Sequence, residues 1–176
     1  MLYVPDEKDR VVVERAIPAP NWGAPEPIVV ASEDRLLLSY AAHYNAPANM
    51  SQRTIYNPLG VVVTSVIIEF ARFTAYFSVP ISNETIQAHP LTRRGVESCG
   101  VYRVENSSWI RWLAGAQCVH PRPFPERYDN CKHYIFAFHD SIFEVAADGV
   151  AVRDLSGTVA ERQQEIWRLL HTPGSG

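Results

Sequence analysis

The stretch His133-Tyr-Ile-Phe-Ala-Phe-His-Asp-Ser-Ile-Phe-Glu144 places ionisable side chains inside a run otherwise apolar enough to be core. Residues 133–138 are aromatic or aliphatic with β preference, and His139-Asp140-Ser141 supplies turn chemistry. The apolar run then resumes from Ile142 to Ala146, so the stretch reads as a hairpin. With Asp140 and Ser141 as the turn, His139 is expected opposite Ile142, Phe138 opposite Phe143 and Ala137 opposite Glu144. Because side chains alternate along a strand, His133, Ile135, Ala137, His139, Ile142, Glu144 and Ala146 share one face. Tyr134, Phe136, Phe138, Phe143 and Val145 share the other, a core face.

In that register Glu144 is diagonal to His139, roughly 7 to 8 Å away between backbones. A carboxylate near an imidazole can hold the ring's tautomer, raise its basicity or join it as a metal ligand. The plainer reading makes His139 and Asp140 the surface cap of a hairpin and Glu144 a solvated strand residue.

Size and charge narrow the classes. A chain of 176 residues is long enough for one well-buried core, and a single domain over 1–176 is expected. A net charge of -3 argues against nucleic acid or an anionic membrane as the main partner. The start, Met-Leu-Tyr-Val-Pro-Asp-Glu-Lys-Asp-Arg, is charged where a signal peptide needs an apolar stretch, so a cytoplasmic protein is expected. Cys99, Cys118 and Cys131 have no C-x-x-C spacing and read as reduced thiols. Arginine outnumbers lysine, of which there are only Lys8 and Lys132, and this bias suggests a GC-rich bacterial genome.

Residues 17–27 carry four prolines and form an expected arm, pinned by Trp22. Strand patterns lie at Arg10 to Ala16 and, as a hairpin, at Ile28 to Ala31 and Arg35 to Ala41. Residues 43–58 read as a long loop. Gly60 to Phe70 and the alternating run around Phe73, Ala75, Phe77 and Val79 are expected to pair centrally, with Glu69 and Arg72 as an ion pair near their turn. A short helix is predicted around 83–88 and a strand from Gly100 to Val104. Asn106-Ser-Ser offers an N-cap before a helix whose Trp109, Ile110, Trp112 and Leu113 form a packing stripe. Thr158-Val-Ala-Glu161 is a capping box for a terminal helix with Ile166, Trp167 and Leu170 on one face, followed by a flexible tail at 172–176. The fold class is α+β: a mainly antiparallel β-sheet with a mid-chain helix and a C-terminal helix.

Two loop histidines, His89 and His120, each precede proline and could reach the polar hairpin face. His139, Glu144 and His120 are the candidate catalytic groups, and His89, Arg94, His133 and Asp140 the candidate ligand-binding ones. A divalent metal held by His120, His139 and Glu144 is one use of them, although no local metal motif is present. Acid-base or nucleophilic hydrolysis, with Ser141, Cys118 or Cys131 as nucleophile, is another. Arg93-Arg94-Gly95 could clasp a phosphate or carboxylate, or simply be a solvated turn.

His89-Pro-Leu-x-x-Arg-Gly95, Asn106-Ser-Ser-Trp-Ile110, Val119-His-Pro121 and His133-x-Ile-Phe-x-Phe-His-Asp-Ser-x-Phe-Glu144 together resemble a group of uncharacterised bacterial proteins over residues 80–147. That group often has threonine at the position of Ile142. The resemblance implies a bacterial cytosolic single-domain protein and carries no activity with it. Two expectations follow: a polar His/Glu pocket that binds a small-molecule ligand or catalyses hydrolysis, and, in a different class, a non-catalytic binding or assembly module working through aromatic surfaces and strand edges. A homo-oligomer is compatible with either.

Overall fold

The computed structural model describes residues 3–42 and 63–172. Two antiparallel sheets dominate. One contains β1 (Arg10–Val13), β6 (Gly100–Glu105), β7 (Lys132–Ala137), β8 (Ile142–Ala147) and β5 (Ala75–Val79), in the order β1-β6-β7-β8-β5. The other contains β2 (Ile28–Ala31), β3 (Leu36–Ala41), β4 (Val63–Ala71) and β9 (Gly149–Gly157), in the order β2-β3-β4-β9. Helix α1 (Ser108–Ala116) and helix α2 (Val159–His171) complete an α+β fold.

Apolar alternation explains the layering. Leu36, Leu38, Tyr40, Val66, Ile68 and Phe70 of the four-stranded sheet meet Tyr134, Phe136, Phe143 and Val145 of the five-stranded one. The two sheets are thus stacked face to face. On the outer side of the four-stranded sheet, Leu37 and Ile67 pack against Ile166 and Leu169 of α2. That is why β3 is buried along its whole length. The outer side of the five-stranded sheet carries Tyr102, Val104, Ile135 and Ala146, covered by Trp109 of α1, Tyr3 of the N-terminal segment, and Leu91 and Val96.

Several expectations are corrected by long-range pairing. β4 and β5 do not pair with one another: β4 lies between β3 and β9, and β5 pairs with β8. The short link between them, in which Arg72 adopts a left-handed φ of 45°, carries the chain from one sheet to the other. Glu69 accordingly pairs with Arg35 and Arg153, and Arg72 with Asp148. The strand β9 has no counterpart in the sequence reading. Trp22 does not pin the proline-rich arm, being 71 % exposed; Ile17 is buried and Tyr40 donates its hydroxyl to the Pro18 carbonyl instead. Trp112 and Trp167 are also exposed, leaving Trp109 and Ile166 as the buried members of the two expected packing stripes. The segment 83–88 is a 3-10 helix, and the N-cap of α1 is Ser107. The expected loop at 43–58 lies outside the described residues.

Candidate functional site

The β7–β8 hairpin forms, two residues out of the expected register. Ile135, not Ala137, faces Glu144, and Ala137 faces Ile142. A shift of two preserves side-chain parity, so His133 and Glu144 do share a face. His139 does not join them. It stands four positions beyond Ile135, about 13 Å of extended chain, and its Nδ1 lies 2.8 Å from Asp140 Oδ1 at the exposed hairpin tip.

Glu144 is instead the hub of a buried network. Its Oε2 accepts from the Tyr3 hydroxyl at 2.8 Å and lies 2.6 Å from His133 Nε2, while Oε1 is 2.8 Å from His89 Nε2. These side chains belong to the N-terminal segment, to β7 and to the residue following the 83–88 helix. His133 is 0 % exposed, Glu144 1 % and His89 3 %.

The hydrogen bonds assign the protons. The Leu91 N–H donates to His89 Nδ1 at 3.3 Å, so His89 presents its Nε2–H to Glu144. His133 Nδ1 lies 2.9 Å from Ser107 Oγ, and that same oxygen accepts the Ile110 N–H at 3.3 Å. The Ser107 hydroxyl proton is therefore free to donate to His133 Nδ1, which leaves the ring's Nε2–H for Glu144. Burial pushes the Glu144 carboxyl upward, but the hydrogen bonds from His133 and His89 outweigh it and bring the pKa down to about 2. Burial, reinforced by the Glu144 charge, pushes the Tyr3 hydroxyl far above the ordinary tyrosine range. Aromatic rings seal the site: Trp109 lies edge-on to His133 at 4.9 Å and stacks on Tyr3 at 5.9 Å.

The network ends at Ser107, which borders a surface cleft. β6 ends at Glu105, Asn106 turns the chain with a left-handed φ of 53°, Ser107 caps, and α1 begins at Ser108. Asp9, itself buried, accepts the Ser108 N–H at 2.5 Å and the Asp6 N–H at 2.8 Å, fastening the N-terminal segment over this junction. Ser107 is 4 % exposed and lines a cleft of about 460 Å³ together with Lys8, Arg103, Glu105, Arg111, Cys131 and Lys132.

Of the remaining predicted residues, His120 lies apart from this junction and Arg94 reaches it through Asp9. His120 is exposed in the segment after α1, with its Nδ1 engaged by the Arg122 backbone. Arg94 donates to the Asp9 carbonyl at 2.9 Å and so braces the N-terminal segment. Among the described residues, no group of three His, Cys, Asp or Glu side chains is arranged to hold a metal ion. His120, His139 and Glu144 are therefore not brought together as ligands. Cys131 borders the cleft, but burial pushes its thiol up to about 11, which disfavours the thiolate. Ser107, Tyr3, Lys8 and Lys132 were not singled out for chemistry by sequence. The one available signal was the N-cap serine directly after a strand; Tyr3 has no local signature, because its partner is 141 positions away.

Compared with protein-family models, curated proteins and solved structures, the chain matches none.

Proposed function

We propose that this chain is a hydrolase that uses acid-base chemistry on an ester, with Ser107 as nucleophile, His133 as base and Glu144 as the group that orients and charges the base. The observation that carries this reading is the relay of 2.9 Å from Ser107 Oγ to His133 Nδ1 and 2.6 Å from His133 Nε2 to Glu144 Oε2. A serine, an imidazole and a buried carboxylate so connected satisfy the roles of an activated nucleophile. The imidazole is used in the sense opposite to the serine protease template, with Nδ1 toward serine. Either ring nitrogen can act as base when the other N–H is held by a carboxylate.

Ser107 Oγ adds to the ester carbonyl carbon as its proton passes to His133 Nδ1. The bond from that carbon to the alcohol oxygen breaks, and the alcohol departs with the proton from Nδ1. Water then adds to the acyl-serine, giving a proton to Nδ1; the carboxylic acid leaves and the proton returns to Ser107. Glu144 stays ionised throughout and stabilises the imidazolium, while Tyr3 and His89 hold the carboxylate in place.

Labelling with a fluorophosphonate, followed by peptide mass spectrometry, tests the assignment. A stoichiometric adduct is expected on Ser107, lost in Ser107→Asn, which retains a capping oxygen, and in His133→Gln, with folding of each checked by circular dichroism. No adduct on Ser107 in the native protein, or equal labelling in folded His133→Gln, overturns it.

A second reading, a non-catalytic binding or assembly module, is favoured by the outward tryptophans: Trp22, Trp112 and Trp167 are 71 %, 51 % and 55 % exposed. Light scattering tests it, a concentration-dependent oligomer dispersed by Trp112→Ser or Trp167→Ser being the expected result.

A further inference from the structure

The cleft at Ser107 is cationic in a chain that is net anionic. Among the described residues four cations line it, Lys8, Arg103, Arg111 and Lys132, with Glu105 as the single carboxylate in the lining. The chain's net charge is -3, and both of its lysines are among those four. Their partners differ sharply. Arg111 is paired with Asp6 and also donates to the Asn106 carbonyl. Arg103 lies 3.5 Å from Glu14 and 3.4 Å from Glu105, and Glu105 is further matched by Arg10 at 3.4 Å. Neither Lys8 nor Lys132 is within ion-pair distance of a carboxylate among the described residues. Both are exposed. The arginines thus build the walls, while two ammonium groups border the Ser107 cleft without a close ion-pair partner, Asp6 acting on Lys8 only from longer range. Unpaired ammoniums at the rim of a cleft select anions and raise their local concentration.

We infer that the substrate of this site carries an anionic group, a carboxylate or a phosphate, which Lys8 and Lys132 bind while the ester carbonyl lies against Ser107. This rests on the reading of Ser107 as nucleophile for the position of the ester, but the anion site itself is independent of it.

Two measurements separate the parts. Hydrolysis of 4-nitrophenyl hemisuccinate is compared with that of 4-nitrophenyl acetate, in the native protein and in the Lys8→Gln/Lys132→Gln variant. Binding of succinate and of inorganic phosphate to the same two proteins is followed by calorimetry at low ionic strength. The expected result is a preference for the hemisuccinate of about tenfold or more in kcat/KM, equivalent to roughly 1.4 kcal/mol, that collapses toward unity in the variant. Succinate binding without phosphate binding assigns a carboxylate, and the reverse assigns a phosphate. Hydrolysis of both esters with the same ratio in both proteins overturns the anion site and leaves the hydrolase standing. Absence of hydrolysis with anion binding that disappears in the variant overturns the hydrolase and keeps the anion site. Anion binding equal in the two proteins, or absent from both, overturns the inference.

Discussion

Tyr3 and Glu144 are joined by a 2.8 Å hydrogen bond across 141 positions of sequence, and this bond ties the start of the chain to the centre of the five-stranded sheet. A tyrosine hydroxyl donating to a buried carboxylate is a charge-assisted bond, stronger than one between neutral groups. Tyr3→Phe removes the donor and keeps the ring stacked on Trp109. A loss of about 2 kcal/mol is expected, read as a lower urea midpoint with an unchanged slope. The N-terminal segment of the variant should also become the first site of limited proteolysis.

Glu144 makes stability depend on acid. Its folded-state pKa is depressed from 4.5 to about 2, so the unfolded chain takes up a proton at higher pH than the folded one. The contribution of Glu144 is fully present above about pH 4.5 and is lost as pH falls through 2. By linkage it amounts to about 3 kcal/mol. Urea unfolding at a series of pH values should show that loss in the native protein. In Glu144→Gln the decline over this window should be shallower, on a protein already destabilised at neutral pH because two imidazoles and a phenol lose their anionic acceptor.

Asp9 acts on the same junction from outside the network. Its carboxylate holds the first free N–H of α1, at Ser108, and the Asp6 N–H, while its carbonyl receives Arg94. An anion at a helix N-terminus is favourable by hydrogen bonding and by the helix dipole together. Asp9→Ala is expected to destabilise by about 2 kcal/mol and to raise amide hydrogen exchange selectively at Ser108 and Trp109. Uniform acceleration across both sheets would refute this local role.

How much of this was legible in the sequence depends on the range of each signal. Strand parity put His133 and Glu144 on one face, and a register error of two residues left that parity intact. The same error misplaced His139, whose neighbours are set by the tip of the hairpin at Phe138 and Ser141. The capping box of α2 was readable because Thr158 and Glu161 are three residues apart and satisfy each other locally. β4 and β5 looked like a hairpin since nothing local distinguishes a turn within one sheet from a crossing between two. His89 was visible as a loop histidine, but its alignment on Glu144 requires the 83–94 segment to fold over the sheet. Asn106-Ser-Ser read as a helix cap, and Ser107 is that cap; only the tertiary approach of His133 gives its hydroxyl a second partner.

Arg162 makes the opposite prediction from Glu144, because its charge is poorly matched. The side chain is 1 % exposed between α2 and the four-stranded sheet, and burial lowers its pKa, opposed only by Glu26. Its guanidinium reaches the Glu26 carbonyl at 3.1 Å, the Glu26 carboxylate at 3.4 Å and Ser65 Oγ at 3.5 Å, while its Nε and the Oγ of Ser39 have no hydrogen-bond partner among the described residues. A buried cation so held has a desolvation penalty that its partners do not fully offset, and an apolar side chain of similar length removes both. Arg162→Met is therefore expected to be as stable as the native protein or more so, by up to about 2 kcal/mol. Arg162→Ala should lose stability by leaving a cavity beneath the helix. Paired urea titrations decide the matter: if the methionine variant is destabilised as much as the alanine one, the guanidinium contributes through its hydrogen bonds and not through the volume it fills.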